Sequence, residues 1–324
     1  MTEQRSSHWE RGLILSVVLA IAIYLGTVVW SGADRVWEAL NLLPVWLIPA
    51  LLGMIFFGYS LRFLRWQWYL QTMGYRVPWK SSFRIFLASF ALTASPGKAG
   101  ESIKSLMLKR QHQIPIAPTL AGLFCERFTD ALSVVLLICL GLSVFADVKW
   151  AIVAVGLMQL AFILTLQNPA FLKRRILHPV LNWSKRRSIG ILEKVAHKFE
   201  ELIDSASALL KPSLLLGGTF LALVAWGLEG VALYCLFHYL GASSITLYQA
   251  VLIHTSSGLI GALSLLPGGI GGAEAMNISL SMLFGASQPI AVTATLLIRL
   301  MTLWYAVFIG MILLLWMQKK VPAQ

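Results

Sequence analysis

Glu126-Arg127-Phe128-Thr129-Asp130 is the densest ionisable group in any apolar stretch of this 324-residue chain. Glu126 and Asp130, four apart, share a helix face, and Arg127 and Asp130, three apart, can pair. Upstream, Pro96-Gly97-Lys98-Ala99-Gly100-Glu101 ends 26 residues before Arg127, and a second run, Pro267-Gly268-Gly269-Ile270-Gly271-Gly272-Ala273-Glu274, ends 25 residues before Arg299. Each run sets a Pro/Gly break and a carboxylate ahead of a long apolar helix that carries one arginine. Arginine is never neutral, and its fork matches phosphate in bidentate fashion. The chemistry on offer is therefore anion binding, with Glu101, Glu126, Asp130 and Glu274 balancing the arginines or receiving a cationic group. The breaks at Pro96, Gly97 and Gly100 and at Pro267, Gly268, Gly269 and Gly271 add backbone N–H groups at fresh helix starts, which also favour anions. Internal ion pairs, Arg127 with Glu101 and Arg299 with Glu274, are the plainer reading, and both readings stay open here. Glu229, a lone acid in an apolar run, reads as a proton-coupling group or as the partner of His254 or Arg299.

The elements that must position these residues are membrane helices. Hydrophobic residues make up 58% of the chain and charged residues 12%, against about a quarter charged in a soluble globule. Runs long enough to span lie at 12–30, 43–60, 119–145, 150–166, 213–240 and 289–317, which predicts six crossings at about 20 residues each. No small-residue cleavage site follows the first run, so it reads as a retained helix. Cys125, Cys139 and Cys235 fall inside apolar runs without metal-ligand spacing, and no disulfide is expected. The net charge of +12 belongs to the membrane rather than to nucleic acid. Six crossings with the N-terminus inside leave only Arg35 and Lys149 outside, the bias of the positive-inside rule. Both termini are then cytoplasmic. Residues 61–84, with Arg62, Arg65, Trp66 and Trp79, read as a helix at headgroup level, and 167–212 as a basic amphipathic segment on the cytoplasmic face.

Two apolar pieces are too short to cross. Residues 83–95 reach only about 20 Å as a helix, and 249–266 about 27 Å, each followed by a shorter return piece. Both are expected to enter and return as re-entrant helical hairpins, one from each face. The predicted fold is an all-α, polytopic membrane helix bundle of six full spans plus two re-entrant hairpins in an inverted-topology repeat. It forms one integral membrane domain over 1–324, with 83–145 as the first repeat unit and 249–317 as the second. No phosphate-binding Gly-x-x-x-x-Gly-Lys loop, metal cluster or base-activated nucleophile is present in the sequence. We therefore expect no enzyme, no metal and no cofactor.

Pro96-Gly97…Gly100-Glu101, Glu126-Arg127-Phe128-Thr129-Asp130, Leu266-Pro267-Gly268-Gly269-Ile270-Gly271…Glu274 and Arg299, in that order, resemble the lysylphosphatidylglycerol synthase transmembrane family. This is the flippase-like half of aminoacyl-phosphatidylglycerol synthase/flippase proteins, and it also occurs alone. The resemblance implies a lipid flippase of the bacterial inner membrane, with these charged positions along the path. No aminoacyl-transferase domain follows in this sequence, so the expected cargo is a polar-headgroup lipid in general: phospholipid, aminoacyl-phospholipid or glycolipid. The expected partners are membrane lipids with an anionic or zwitterionic headgroup and no nucleic acid; a homo-oligomer or an envelope-biosynthesis partner stays open. Two alternatives also stand, a membrane-embedded lipid-modifying transferase and a proton-coupled small-solute transporter.

Overall fold

The computed structural model describes residues 25–26, 29–30, 32–95, 100–142, 149–177 and 190–319, all helix, turn or connecting loop. The helices are α1 (Ala33–Asn41), α2 (Leu47–Thr72), α3 (Trp79–Ser89), α4 (Ile103–His112), α5 (Ile116–Leu142) and α6 (Lys149–Leu166). They continue with α7 (Gly190–Leu209), α8 (Pro212–Tyr239), α9 (Leu247–Leu263), α10 (Gly272–Leu283), α11 (Gln288–Arg299) and α12 (Tyr305–Lys319). A π-turn over Leu300–Trp304 joins α11 to α12 as one rod.

Among the described residues, three helices are long and apolar enough to cross a bilayer: Leu47–Thr72, Pro212–Tyr239 and Gln288–Met317. A fourth crossing exists if Val153–Thr165 and Pro169–Arg175, bent by 75° at Gln167 and Asn168, make one broken span. The expected six full spans plus two re-entrant hairpins are therefore corrected to three or four crossings among the described residues. Several physical reasons apply. α5 has the length, at 27 residues, but carries Glu126, Arg127 and Asp130 mid-helix. α9, at 17 residues, is about 26 Å long, short of the roughly 30 Å core. Most of the expected span at 12–30 lies outside the described residues. With the crossings recounted, the opposite-face entry of the two units, and the inverted-topology repeat derived from it, lose their basis. Residues 61–72 do not start a helix of their own: α2 runs unbroken from Leu47 through Arg62 and Arg65 to Thr72.

Each glycine-rich run does interrupt a pair of helices. α3 passes into a 3₁₀ turn, Phe90–Leu92, before α4 begins at Ile103; Pro96 and Gly97 lie outside the described residues. α9 stops at Leu263, and the chain turns through Leu265 (φ 53°) and Pro267–Gly269 before α10. α9 and α10 pack on each other, and Ser257 Oγ donates to Ala273 O at 2.9 Å. Gly269 has φ 67°, and a Cβ there would lie 2.8 Å from Gly261 Cα. Left-handed backbone and close approach both demand glycine. Gly269→Ala is expected to cost at least about 2 kcal/mol, read as a lower unfolding midpoint in detergent. The two breaks also meet, since a Cβ on Gly268 would sit 3.6 Å from Ala94 Cα.

The bundle is centred on α2 and α8, with α5, α8 and α10 around α9 and the last rod against α3. An aromatic seam of Tyr59, Phe63, Phe86 and Phe90 seals α2 to α3, with ring centroids of Tyr59 and Phe90 5.1 Å apart. α7 packs on α5 through Ala206, Leu209 and Leu210. Lys173 reaches that helix too, at 3.2 Å from Glu200 and 2.8 Å from Asp204.

Candidate functional site

α5 presents its three charged residues to different neighbours. Arg127 Nη2 donates to Glu101 Oε2 at 3.1 Å and lies 3.6 Å from Asp130 Oδ2. Glu101 follows the first break, where Thr93 Oγ1 donates to its Oε1 at 3.0 Å. Asp130 Oδ1 is 2.8 Å from Arg65 Nη1 of α2, and the same nitrogen donates to Thr129 Oγ1 at 2.9 Å. Glu126 belongs to a separate pair with Lys104 Nζ of α4, which sits 3.9 Å from the Trp66 ring centroid. The helix face shared by Glu126 and Asp130 is thus divided between separate cations. Two carboxylates taken out of water repel, and each needs its own compensating charge.

Glu229 of α8 is likewise shared. Arg62 Nη1 of α2 lies 2.7 Å from its Oε1, and His254 Nε2 of α9 lies 2.9 Å from its Oε2. The Trp226 ring lies 5.3 Å from the Arg62 guanidinium carbon. Two sets of ionic contacts result, His254–Glu229–Arg62 and Arg65–Asp130–Arg127–Glu101, and they lie side by side because Arg62 and Arg65 are one turn apart on α2. Of the two partners expected for Glu229, His254 is found and Arg299 is not.

Arg299 is occupied at the second break. Its Nε lies 2.6 Å from Glu274 Oε1, and its Nη2 donates to Gly268 O at 2.7 Å. Glu274 Oε2 accepts from the Gly271 N–H at 2.6 Å. This places a carboxylate in the first turn of α10, where the helix dipole favours it. Gly271, Glu274 and Arg299 thus form one clamp that fixes the break. Immediately after Arg299, Tyr59 Oη donates to Thr302 O at 2.7 Å within the π-turn, a frequent device at functional positions. Tyr59 lies one turn before Arg62 on α2.

Exposure separates the cations. The side chains of Arg65 and Lys104 are each 1% exposed and Arg299 14%, whereas Arg127 is 36% exposed. The close carboxylate contacts of Arg127 go through Nη2, and its buried Nε has no hydrogen-bond partner among the described residues. Its fork is not spent in a bidentate pair. Arg62, Arg65 and Lys104 are the residues that the sequence reading missed. A signal existed for the two arginines: no Gly or Pro lies between Gly58 and Gly74, so nothing ends α2 before them. Lys104 carried no comparable signal, because its burial depends on where Trp66 and Glu126 come to lie. An apolar groove runs along the last rod. A cavity of about 480 Å³ bounded by Trp37, Leu40 and Leu296 shares Leu297 and Leu300 with one of about 360 Å³ that reaches Trp304 and Phe308. Among the described residues, no group of three His, Cys, Asp or Glu side chains could hold a metal ion.

Long apolar helices that carry paired charges into their shared interior define a multi-pass integral membrane protein with an ionic core. The family described as lysylphosphatidylglycerol synthase TM region matches residues 17–310, and the chain belongs to it. The chain is similar to a UPF0104 membrane protein of Pyrococcus horikoshii, at 24% identity over 93% of this chain and 96% of the relative. It is also similar to a UPF0104 membrane protein of Methanothermobacter thermautotrophicus, at 26% identity over 91% of this chain and 90% of the relative. The resemblance drawn from the motifs is thereby borne out. Membership of this flippase-like family supports a role in lipid handling and agrees with a protein that is not an enzyme.

Proposed function

We propose that the protein moves a polar-headgroup lipid between the leaflets of the inner membrane. The headgroup phosphate, of an anionic or zwitterionic lipid, binds at Arg127 while the acyl tails stay in the bilayer. The observation that carries this reading is the half-free guanidinium of Arg127 among otherwise enclosed ion pairs. A fork with donor capacity to spare matches a phosphate. Glu101 and Asp130 hold Arg127 when no lipid is present and release it when a phosphate takes their place. Glu126 and Glu229 hold the neighbouring cations, and Glu274 with Arg299 fixes the second break beside the path. The groove past Leu297 and Leu300 runs next to Arg299 and suits the tails.

The test is leaflet exchange in proteoliposomes. Fluorescent phosphatidylglycerol is expected to become accessible to an external quencher faster with the protein than without it, and mass spectra of the lipid are expected to stay unchanged. Exchange no faster than in empty vesicles would reject translocation, and a covalently altered lipid would favour a transferase.

A further inference from the structure

Glu229 joins two kinds of partner. Arg62 carries a guanidinium that stays charged, whereas His254 is an imidazole, a side chain that can gain or lose a proton while remaining hydrogen-bonded. The Glu229 and His254 side chains are 7% and 8% exposed, with Nε2 and Oε2 2.9 Å apart. The elements packed on α9 are α5, α8 and α10. Those helices carry Glu126, Arg127 and Asp130 (α5), Glu229 and His238 (α8) and Glu274 (α10), and of these Glu229 is the one paired with His254; Arg62 reaches Glu229 from α2 at 2.7 Å.

We propose that proton uptake by His254 is coupled to capture of an anionic headgroup at Arg127, so that the protein is a proton-coupled lipid transporter. This rests on the headgroup reading of Arg127. Neutral His254 offers Glu229 at most an uncharged hydrogen bond, and Arg62 supplies the compensating charge. Protonated His254 supplies a full charge at 2.9 Å and competes with Arg62 for the same carboxylate. Arg62 is then drawn toward Asp130, which Arg65, one turn further along α2, already holds at 2.8 Å. Asp130 in turn needs Arg127 less, and their contact is already a long one at 3.6 Å. The end result is a guanidinium freer to take a phosphate. Linkage makes the effect reciprocal: a phosphate on Arg127 releases Asp130 to Arg62 and favours the proton on His254.

Calorimetry on the full-length, detergent-solubilised protein decides this, with dihexanoyl phosphatidylglycerol as the probe. Its phosphodiester stays ionised throughout, so a pH dependence belongs to the protein. Wild type is expected to bind about tenfold more tightly at about pH 5.5 than at about pH 8. Near neutral pH, heats measured in buffers of different ionisation enthalpy are expected to show net proton uptake on binding. His254→Gln is expected to remove both the pH ratio and the uptake. The wild-type buffer series needs no variant, so misfolding of His254→Gln would leave the test intact. Binding without proton uptake, or an unchanged pH ratio in folded His254→Gln, overturns the coupling and leaves Arg127 as the headgroup site. No binding at either pH overturns both.

Discussion

Arg127→Ala is expected to slow leaflet exchange of phosphatidylglycerol by at least about tenfold while leaving the bundle folded. Charge-assisted hydrogen bonds are worth about 1.5–3 kcal/mol each, and a pair of them to phosphate would sit on this one side chain. The fold survives because neither acid is stranded by the change. Asp130 keeps Arg65 at 2.8 Å, and Glu101 keeps Thr93 at 3.0 Å. Arg127→Lys is expected to recover only part of the rate, since an ammonium is a point charge without the planar fork. The quencher assay gives the rate, and an unfolding curve on the same preparations checks the fold. Wild-type exchange in Arg127→Ala would remove Arg127 from the path.

The largest effect on stability is expected from Lys104→Met. Lys104 and Glu126 are 1% and 2% exposed and pair directly, with the ammonium against Trp66. Removing the cation leaves a carboxylate in the interior without its partner, at a cost of about 3–5 kcal/mol. The Lys104→Met/Glu126→Leu double variant is expected to recover most of that loss, because replacing both charges removes the desolvation penalty along with the attraction. Lys109→Met, at an exposed position on the same helix, serves as the control. Thermal midpoints in detergent complete the cycle. A Lys104→Met midpoint equal to that of the control would mean that the pair contributes nothing.

Arg127 and Lys104 show two uses of charge on neighbouring helices. The first is reachable and incompletely paired, which suits a ligand; the second is sealed, which suits a lock. Arg299 resembles the lock, because Glu274 and the Gly268 carbonyl occupy its Nε and Nη2. The two break-and-arginine sets, alike in spacing, have therefore diverged in what their arginines can do. A distinct loss follows for Arg299→Ala: the second break loses its clamp, so a lower unfolding midpoint is expected alongside any loss of exchange.

The sequence by itself determined the membrane setting and the helical class, and it offered the two pairs Glu101–Arg127 and Glu274–Arg299 as one of two open readings. Composition is a bulk property, and each pair joins a carboxylate beside a Pro/Gly break to an arginine along the helix that comes back past it. Only the tertiary structure decided that Arg62, Arg65 and Lys104 belong to the ionic core, that Glu229 takes Arg62 and His254, and how few helices are long and apolar enough to cross. The reason lies in what a local pattern can carry. A hydropathy window reads an arginine as the end of a span, because it averages along one chain and is blind to the acid on the next helix that permits the arginine to be buried. Which acid that is depends on the rotation and crossing of α2, α5 and α8, and those are set by packing between residues far apart in the chain.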